Sequence, residues 1–172
     1  MTNVIVIAQE LLACLETSLA AGPNPPPASR IMLRAGAQVT PLLSTVDDEC
    51  CSGLGWVRVA GVSGVRELRA PDNTECFLPD RTLTLEMGVA RCMPTPGAST
   101  LVTEEQWTDI ALQLDADMGA MEAALCCAFS DLEGSAAEEV AVGEYQPFGV
   151  DGNCIGGTMT VRISMTRCCP EE

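Results

Sequence analysis

One stretch of the sequence, residues 103–129, constrains the fold more than any other. Its large apolar residues recur at steps of three and four, the spacing that places side chains on one face of an α-helix. They are Trp107, Ile110, Leu114, Met118, Met121 and Leu125. Asp109, Asp115 and Asp117 lie between them, which predicts an acidic face exposed to water. Residues 103–129 are therefore predicted to form a long amphipathic helix. Its apolar face must pack against a surface that the rest of the chain provides.

Both ends of this helix carry recognisable signals. Thr103 with Gln106 three residues later fits a capping box, and Glu104 and Glu105 lie where the helix dipole favours negative charge. At about 1.5 Å per residue the helix is a rod of roughly 38 Å. Its last residues, Cys126-Cys127, are too apolar for an exposed end, so we expect them buried against the sheet or at a subunit contact.

A second amphipathic helix is predicted at residues 2–20. The apolar residues on its one face are Val4, Ile7, Ala8, Leu11, Leu15 and Leu19. Gly22 and Pro23 end this helix, and the proline-rich residues 22–29 predict a stiff connector.

Five strands are predicted in the remainder of the chain. They are residues 30–34, 56–59 with an extension to 68, 82–92, 140–148 and 157–167. Residues 82–92 show the clearest alternation of apolar and polar side chains, and Gly61 and Gly64 predict a bulge or a close approach of the backbone in the second strand. The last two strands are expected to form an antiparallel hairpin. Residues 38–51 fit no element clearly, 70–81 and 149–153 are predicted as a loop and a turn, and 133–139 as a turn or a frayed end. Cys76, Phe77 and Leu78 in the loop are expected to pack onto the core, the alternative being an apolar surface for a neighbour.

The predicted order of elements is α-β-β-β-α-β-β. Strands that follow each other through short loops favour a mostly antiparallel sheet, with both helices packed on one face. We therefore expect a single α+β domain over residues 1–172. It comprises the N-terminal helix, the connector, the sheet with the long helix at 30–167, and a short tail at 168–172.

The charge of the chain narrows the choice of function. The net charge is −15, with nine basic residues, all arginine, and no histidine. Such acidity repels phosphates and argues against sequence-specific binding of nucleic acid. It would suit a wall past which DNA slides, and solubility alone is the alternative. Without histidine the commonest general base is missing, and no catalytic, cofactor-binding or metal-binding residue is predicted.

Ten cysteines are many for 172 residues. They include three adjacent pairs, at 50–51, 126–127 and 168–169, but no CxxC motif or zinc-ribbon spacing. The first residues lack the basic region of a secretory signal, and no stretch is long enough to span a membrane. We therefore expect synthesis in a reducing cytoplasm with most thiols free and buried, late disulfides and a metal site being the alternatives.

Arginines on the predicted strands are a further expected feature. Arg58, Arg91, Arg162 and Arg167 are predicted to mark a wet sheet face or ion pairs between subunits. The acidic run at 47–49 and the turn at 151–153 contain oxygen ligands, but they lack the full spacing of a calcium loop.

Several segments resemble those of a known group of proteins, in the same order. They are DECCSGLGWVRV (residues 48–59), LEMGVARCMP (85–94), EQW (105–107), ADM (116–118), AALCC (123–127) and YQPFGVDGNCIGGTMTV (145–161). With this ordered set, the chain resembles the small head-to-tail connector and tail-terminator proteins of long-tailed phages that infect actinobacteria.

The resemblance implies a virion protein that forms a ring, expected to be a hexamer. The ring would cap the tail tube, contact the tube protein and a neck or stopper protein, and leave a channel through which DNA passes without specific binding. The acidic face of the helix at 103–129 is the surface we would place first at that channel. A neck stopper or adaptor is the closest alternative, and a cysteine-rich metal-binding or redox protein is an alternative of another class.

Overall fold

Two helices cover one face of a five-stranded sheet in the computed structural model. The structure describes residues 4–36, 52–64, 81–93, 101–130, 137–151 and 154–165. Its elements are α1 (Val4–Ala20), β1 (Ile31–Arg34), β2 (Leu54–Gly64), β3 (Arg81–Cys92), α2 (Glu104–Phe129), β4 (Ala137–Asp151) and β5 (Cys154–Met165), with a 3₁₀ turn (Ala28–Arg30) before β1. The predicted order and the α+β class are confirmed.

The strands lie in the order β1-β2-β3-β5-β4. β1 runs parallel to β2, and every other neighbouring pair is antiparallel, including the expected β4–β5 hairpin. The register shifts between Val59 and Gly61, so the bulge predicted from Gly61 is confirmed. β4 has three such breaks and runs from Ala137 to Asp151. Residues 137–139 and 149–151 therefore belong to this strand, and their prediction as turns was wrong.

The main core lies between the sheet and the helices. The alternation in β3 holds, because Leu83, Leu85, Met87 and Val89 are all buried on the helix side. The register pairs Leu85 with Val161, and both pack beneath α1 and α2. Burying one side chain of this size contributes about 2 kcal/mol to stability, so this layer supplies much of the free energy of folding.

The opposite face of the sheet carries a smaller cluster around Trp56. Its indole lies on Gly88, where a Cβ would collide with the ring, and it packs near Phe148 with ring centroids 6.3 Å apart. Beside it, Arg58 donates to both carboxylate oxygens of Glu86, at 2.7 and 2.6 Å. Arg58 is buried, so its assignment to a wet face or an intersubunit pair was wrong. Its planar guanidinium pairs with Glu86, which lies opposite Arg58 on the neighbouring strand β3.

A disulfide bond between Cys14 and Cys127 joins α1 to α2, with the two Cα atoms 5.8 Å apart. Cys92 and Cys154 are also disulfide-bonded, so the expectation of mostly free thiols was wrong for the described cysteines. Cys126 is the free cysteine among them and is exposed, so it is not buried against the sheet. Its alternative placement at a subunit contact stays a prediction. Neighbouring helical residues lie about 100° apart, so only one of the adjacent cysteines can face α1.

Some predicted features lie outside the described residues. They are the segment 38–51, the loop 70–80 with its three apolar residues, the end of the last strand with Arg167, and the tail 168–172.

Removing the helix-to-helix disulfide should lower stability strongly. Cys14→Ser opens a link between residues 113 positions apart and should cost about 3–5 kcal/mol in the free energy of unfolding, measured by urea denaturation. Cys126→Ser is the matched control, because this exposed thiol makes no bond and its loss should change little. Equal effects of the two substitutions would contradict the structural role of the bond.

Candidate functional site: the projecting end of α2 and its ionic anchor

The start of α2 is closed by the predicted capping box. The backbone N–H of Gln106 donates to the Thr103 hydroxyl at 3.3 Å, and the backbone N–H of Thr103 donates to the Gln106 side chain at 2.9 Å. Glu104 and Glu105 occupy the first turn, where their charge favours the helix. These contacts stabilise the first turn of the helix, against which few described residues pack.

The first half of α2 projects from the body of the domain. All of residues 104–109 are exposed, and the first deeply buried position in the helix is Asp117. Leu101, Trp107 and Leu112 are 89%, 43% and 64% exposed. Trp107 was expected on the buried face. It continues that face by periodicity, yet its side chain remains partly exposed to solvent. We call residues 104–112 the α2 arm.

A buried ion pair anchors the helix where the arm ends. Arg91, on β3, donates through Nε to Asp117 at 2.8 Å and through Nη2 to the second carboxylate oxygen at 2.5 Å. Its Nη1 donates to the carbonyl of Asn24 at 2.8 Å, and Gln113 donates to Asp117 at 3.1 Å. Gly53, with φ of 84°, leaves room for the guanidinium, with which a Cβ there would collide.

This anchor corrects two predictions made from the sequence. Asp117 was assigned to the wet face of the helix and Arg91 to a wet sheet face or an interface, yet they are only 2% and 7% exposed. The burial of Asp117 could have been predicted from its spacing, because it follows Ile110 by seven residues and precedes Met121 by four, and so lies on their face of the helix. A carboxylate on an apolar helix face indicates a buried cationic partner.

Tyr145 lies next to the anchor on the helix side of β4. Its ring covers Gly157, and its hydroxyl is buried without a hydrogen-bond partner among the residues the structure describes. Burial raises the pKa of Tyr145, and the negative charge of Asp117 raises it further. The phenol is thereby kept neutral well into the alkaline range.

A groove of about 300 Å³ runs beside the α2 arm, at the end of β3. Its lining residues are Asn24, Cys92, Met93, Gln106, Asp109, Ile110 and Gln113. The side chain of Asn24 donates to Gln113 at 2.5 Å, so the connector after α1 closes one end of the groove. The groove is amphipathic, since Met93 and Ile110 are apolar and Asp109 is charged.

The two helices together present a surface of one charge sign, which we call the helix layer. Neither α1 nor α2 contains a basic residue. The exposed acidic residues of the layer are Glu10, Glu16, Glu104, Glu105, Asp109, Asp115 and Glu122. The acidic face predicted for the long helix is therefore present, without Asp117.

Within the described ranges, no three cysteine, aspartate or glutamate side chains converge in a way that could hold a metal ion. Neither described helix is long and apolar enough to cross a membrane. The features that stand out in this part of the chain are thus surfaces: the arm, the groove and the helix layer.

Comparison with known proteins assigns no family to the chain, since no protein-family model and no curated protein matches it.

Breaking the anchor should destabilise the domain. Asp117→Asn leaves the buried Arg91 guanidinium without a counter-charge and should cost about 3–5 kcal/mol in the free energy of unfolding, measured by urea denaturation. Asp115→Asn removes an exposed charge two residues away and should leave that free energy nearly unchanged. The account of the anchor fails if both variants unfold like the parent.

Tyr145 gives a direct readout of packing beside the anchor. It is the one tyrosine of the chain, so tyrosinate absorbance should show a midpoint above the ordinary value of about 10 in the folded protein and an ordinary midpoint in urea. Because the folded state holds this proton more tightly, stability should be retained below pH ~10 and fall as pH rises through the raised pKa. Tyr145→Phe should remove that part of the fall, whereas equal midpoints in both states would contradict burial of the phenol.

Proposed function

We propose that this protein is a structural subunit of a ring at the junction between the tail and the neck of a long-tailed phage, acting as the tail terminator. The structural observation that carries the role is the helix layer, which has seven exposed acidic residues and no basic one. The assignment to a phage tail rests on the ordered resemblance of residues 50–161 to connector and terminator proteins.

The acidic helix layer suits a surface past which DNA moves. Duplex DNA carries one negative charge per about 1.7 Å of its axis, and proteins that hold it do so with lysine and arginine. A surface with carboxylates alone makes no such contacts and repels the phosphates. At physiological salt this repulsion acts over about 8 Å, which is effective only where DNA passes close to the protein, as in a channel.

Assembly into a ring would also explain why the α2 arm is largely exposed in a single copy. A helix segment that is largely exposed gains little stability from its own hydrogen bonds, and most helices in proteins are stabilised by packing. The arm carries a tryptophan and a leucine whose side chains are partly exposed in the described part of the chain. A head-to-tail contact between copies would cover them and would close into a ring if the rotation between copies allows it.

Direct pairing between sheet edges is a less suitable way to join copies. The long edge strand β4 is interrupted by three shifts of register. Such breaks twist an edge and limit the row of free backbone groups that another strand could pair with. Contacts made by side chains of the helix layer are therefore the favoured means of assembly in this proposal.

The proposed location can be tested in particles. Antibody labelling of purified virions should place the chain at the head–tail junction, between the last ring of the tube and the neck. Labelling on the portal side of the neck would favour the stopper or adaptor alternative, and absence of the chain from virions would refute the proposal.

Two double variants that make the same change of charge at different places test the proposed role of the acidic helix layer. Asp115→Arg with Glu122→Arg, both in the helix layer, should slow DNA release from assembled particles about tenfold or more, because arginines bind passing phosphates. Glu139→Arg with Glu144→Arg makes the same change of charge on exposed residues of β4 and should release DNA at the parental rate. Equal rates for both variants would contradict a channel lined by the helix layer.

A further inference from the structure

Arg34, at the end of β1, has no counter-charge among the residues that the structure describes. The register of β1 with β2 pairs Arg34 with Arg58, so both side chains lie on the sheet face opposite the helices. Two like charges placed opposite each other on neighbouring strands repel one another. Residues 28–36 and 52–64, which contain these two strands, carry three arginines and no acidic residue.

Glu86 of β3 neutralises Arg58 but not Arg34. Its two carboxylate oxygens accept from Nε and Nη2 of Arg58, and Trp56 Nε1 donates to the same group at 3.4 Å. The Nε of Arg34 is buried and makes no hydrogen bond within the described ranges, although the residue as a whole is partly exposed. Because a buried donor left unbonded is costly, Arg34 is a site that an incoming carboxylate would stabilise.

The α2 arm carries a pair of side chains that fits an unpaired arginine. Glu104 precedes Trp107 by three residues, so the carboxylate and the indole are neighbours on one side of the helix. Both residues are exposed, Trp107 to 43%. A carboxylate binds the edge of a guanidinium through two hydrogen bonds and an indole binds its face, so one arginine can satisfy both groups.

Glu104 and Trp107 lie on the side of α2 that faces away from α1. The bond of Cys127 to Cys14 marks the side of α2 that faces α1. Successive residues of a helix are about 100° apart, which places Glu104 and Trp107 roughly 140° and 160° round α2 from Cys127. The pair therefore lies on the outer flank of the helix layer, where another copy can reach it.

Arg34 and this pair lie at opposite flanks of the domain. β1 is an edge strand of the sheet, and α1 packs on β1 and β2. α2 packs on β3 and β5, and so lies on the side of α1 away from β1. Unlike patches at opposite flanks allow the same contact to be repeated from copy to copy, which closes into a ring if the rotation permits.

We propose that Arg34 of one copy binds the α2 arm of the next copy through Glu104 and Trp107. This inference rests on the proposed ring and names the contact that joins its subunits. Charge favours this occupant, because copies with a net charge of −15 repel one another except where acidic and basic groups meet. Within the helix layer the contact uses only the arm, and it leaves four exposed acidic residues for the channel: Glu10, Glu16, Asp115 and Glu122.

Charge reversal at Arg34, with a matched reversal elsewhere on the sheet, tests the contact. Arg34→Glu should raise the dissociation constant between copies about tenfold or more in sedimentation of a dilution series of the full chain, because two carboxylates then meet. Arg162→Glu makes the same change at an exposed arginine of β5, three strands from β1, and should leave the constant within about threefold of the parent.

Reversal in the arm tests the partner residue. Glu104→Arg should weaken association as strongly as Arg34→Glu, whereas Glu105→Arg, which lies about 100° further round the helix, should have little effect. The double variant Arg34→Glu with Glu104→Arg should recover most of the parental affinity, and far-UV circular dichroism should show that each variant is folded.

Two outcomes of these reversals overturn the contact. One is a double variant as weak as either single variant, and the other is a Glu105→Arg variant as weak as Glu104→Arg. Because Glu104 and Glu105 are both exposed, their comparison decides the question even where Arg34→Glu unfolds the chain.

Quenching of tryptophan fluorescence separates failure of the contact from failure of the proposed function. The chain has two tryptophans and Trp56 is 1% exposed, so acrylamide quenching of the folded chain reports mainly Trp107. Assembly of the parent should protect Trp107 from acrylamide. A parent chain that forms rings in which Trp107 stays fully quenchable overturns the contact and leaves the ring in place. A parent chain that remains monomeric across the dilution series overturns both.

Discussion

The buried pair of Arg91 and Asp117 is the interaction on which the arrangement of the layers depends. Removing two charges from water costs several kcal/mol per ion, and only close, fully bonded geometry offsets this. Here the guanidinium makes two bonds to the carboxylate and a third to the carbonyl of Asn24, while Gln113 donates to the same carboxylate. The pair thereby joins β3, α2 and the connector after α1 at one point. A slip of α2 by one residue would leave both charges buried and unpaired, so the pair fixes how far the arm projects.

The ion pair also determines the shape of the helix layer, because it fixes the position of α2 relative to the sheet and to α1. With α2 held at Asp117 by the ion pair and at Cys127 by the disulfide, neither helix can slide to cover the other. The domain is therefore left with the arm and the groove beside it at one end. A second copy could cover the exposed apolar side chains of the arm, and this is the kind of contact that the proposed ring requires.

Much of the fold could be predicted from the sequence because it depends on local periodicity. The alternation in β3, the capping box at Thr103, the bulge near Gly61 and the order of elements required only neighbouring residues. The wrong predictions concern residues whose burial or pairing depends on a partner that is distant in the sequence. Asp117 is buried because Arg91 neutralises it. Trp107 lies on the apolar face by periodicity, but periodicity alone does not show how much of its side chain the body of the domain covers. The pairing of Cys14 with Cys127 depends on the register of two helices that are 113 residues apart in the chain. The candidate surfaces follow from this packing, so the sequence could suggest an acidic helix face but could not place the arm or the groove.

The proposed role requires that the chain assembles into a closed ring. Native mass spectrometry of the purified, oxidised chain gives the number of copies without any assumption about partners. The account predicts one dominant species with a whole-number mass ratio to the 18.1 kDa chain, six copies being the number that the resemblance implies. A chain that stays at 18.1 kDa at every concentration, or forms an open series of sizes without a closed end point, would contradict it.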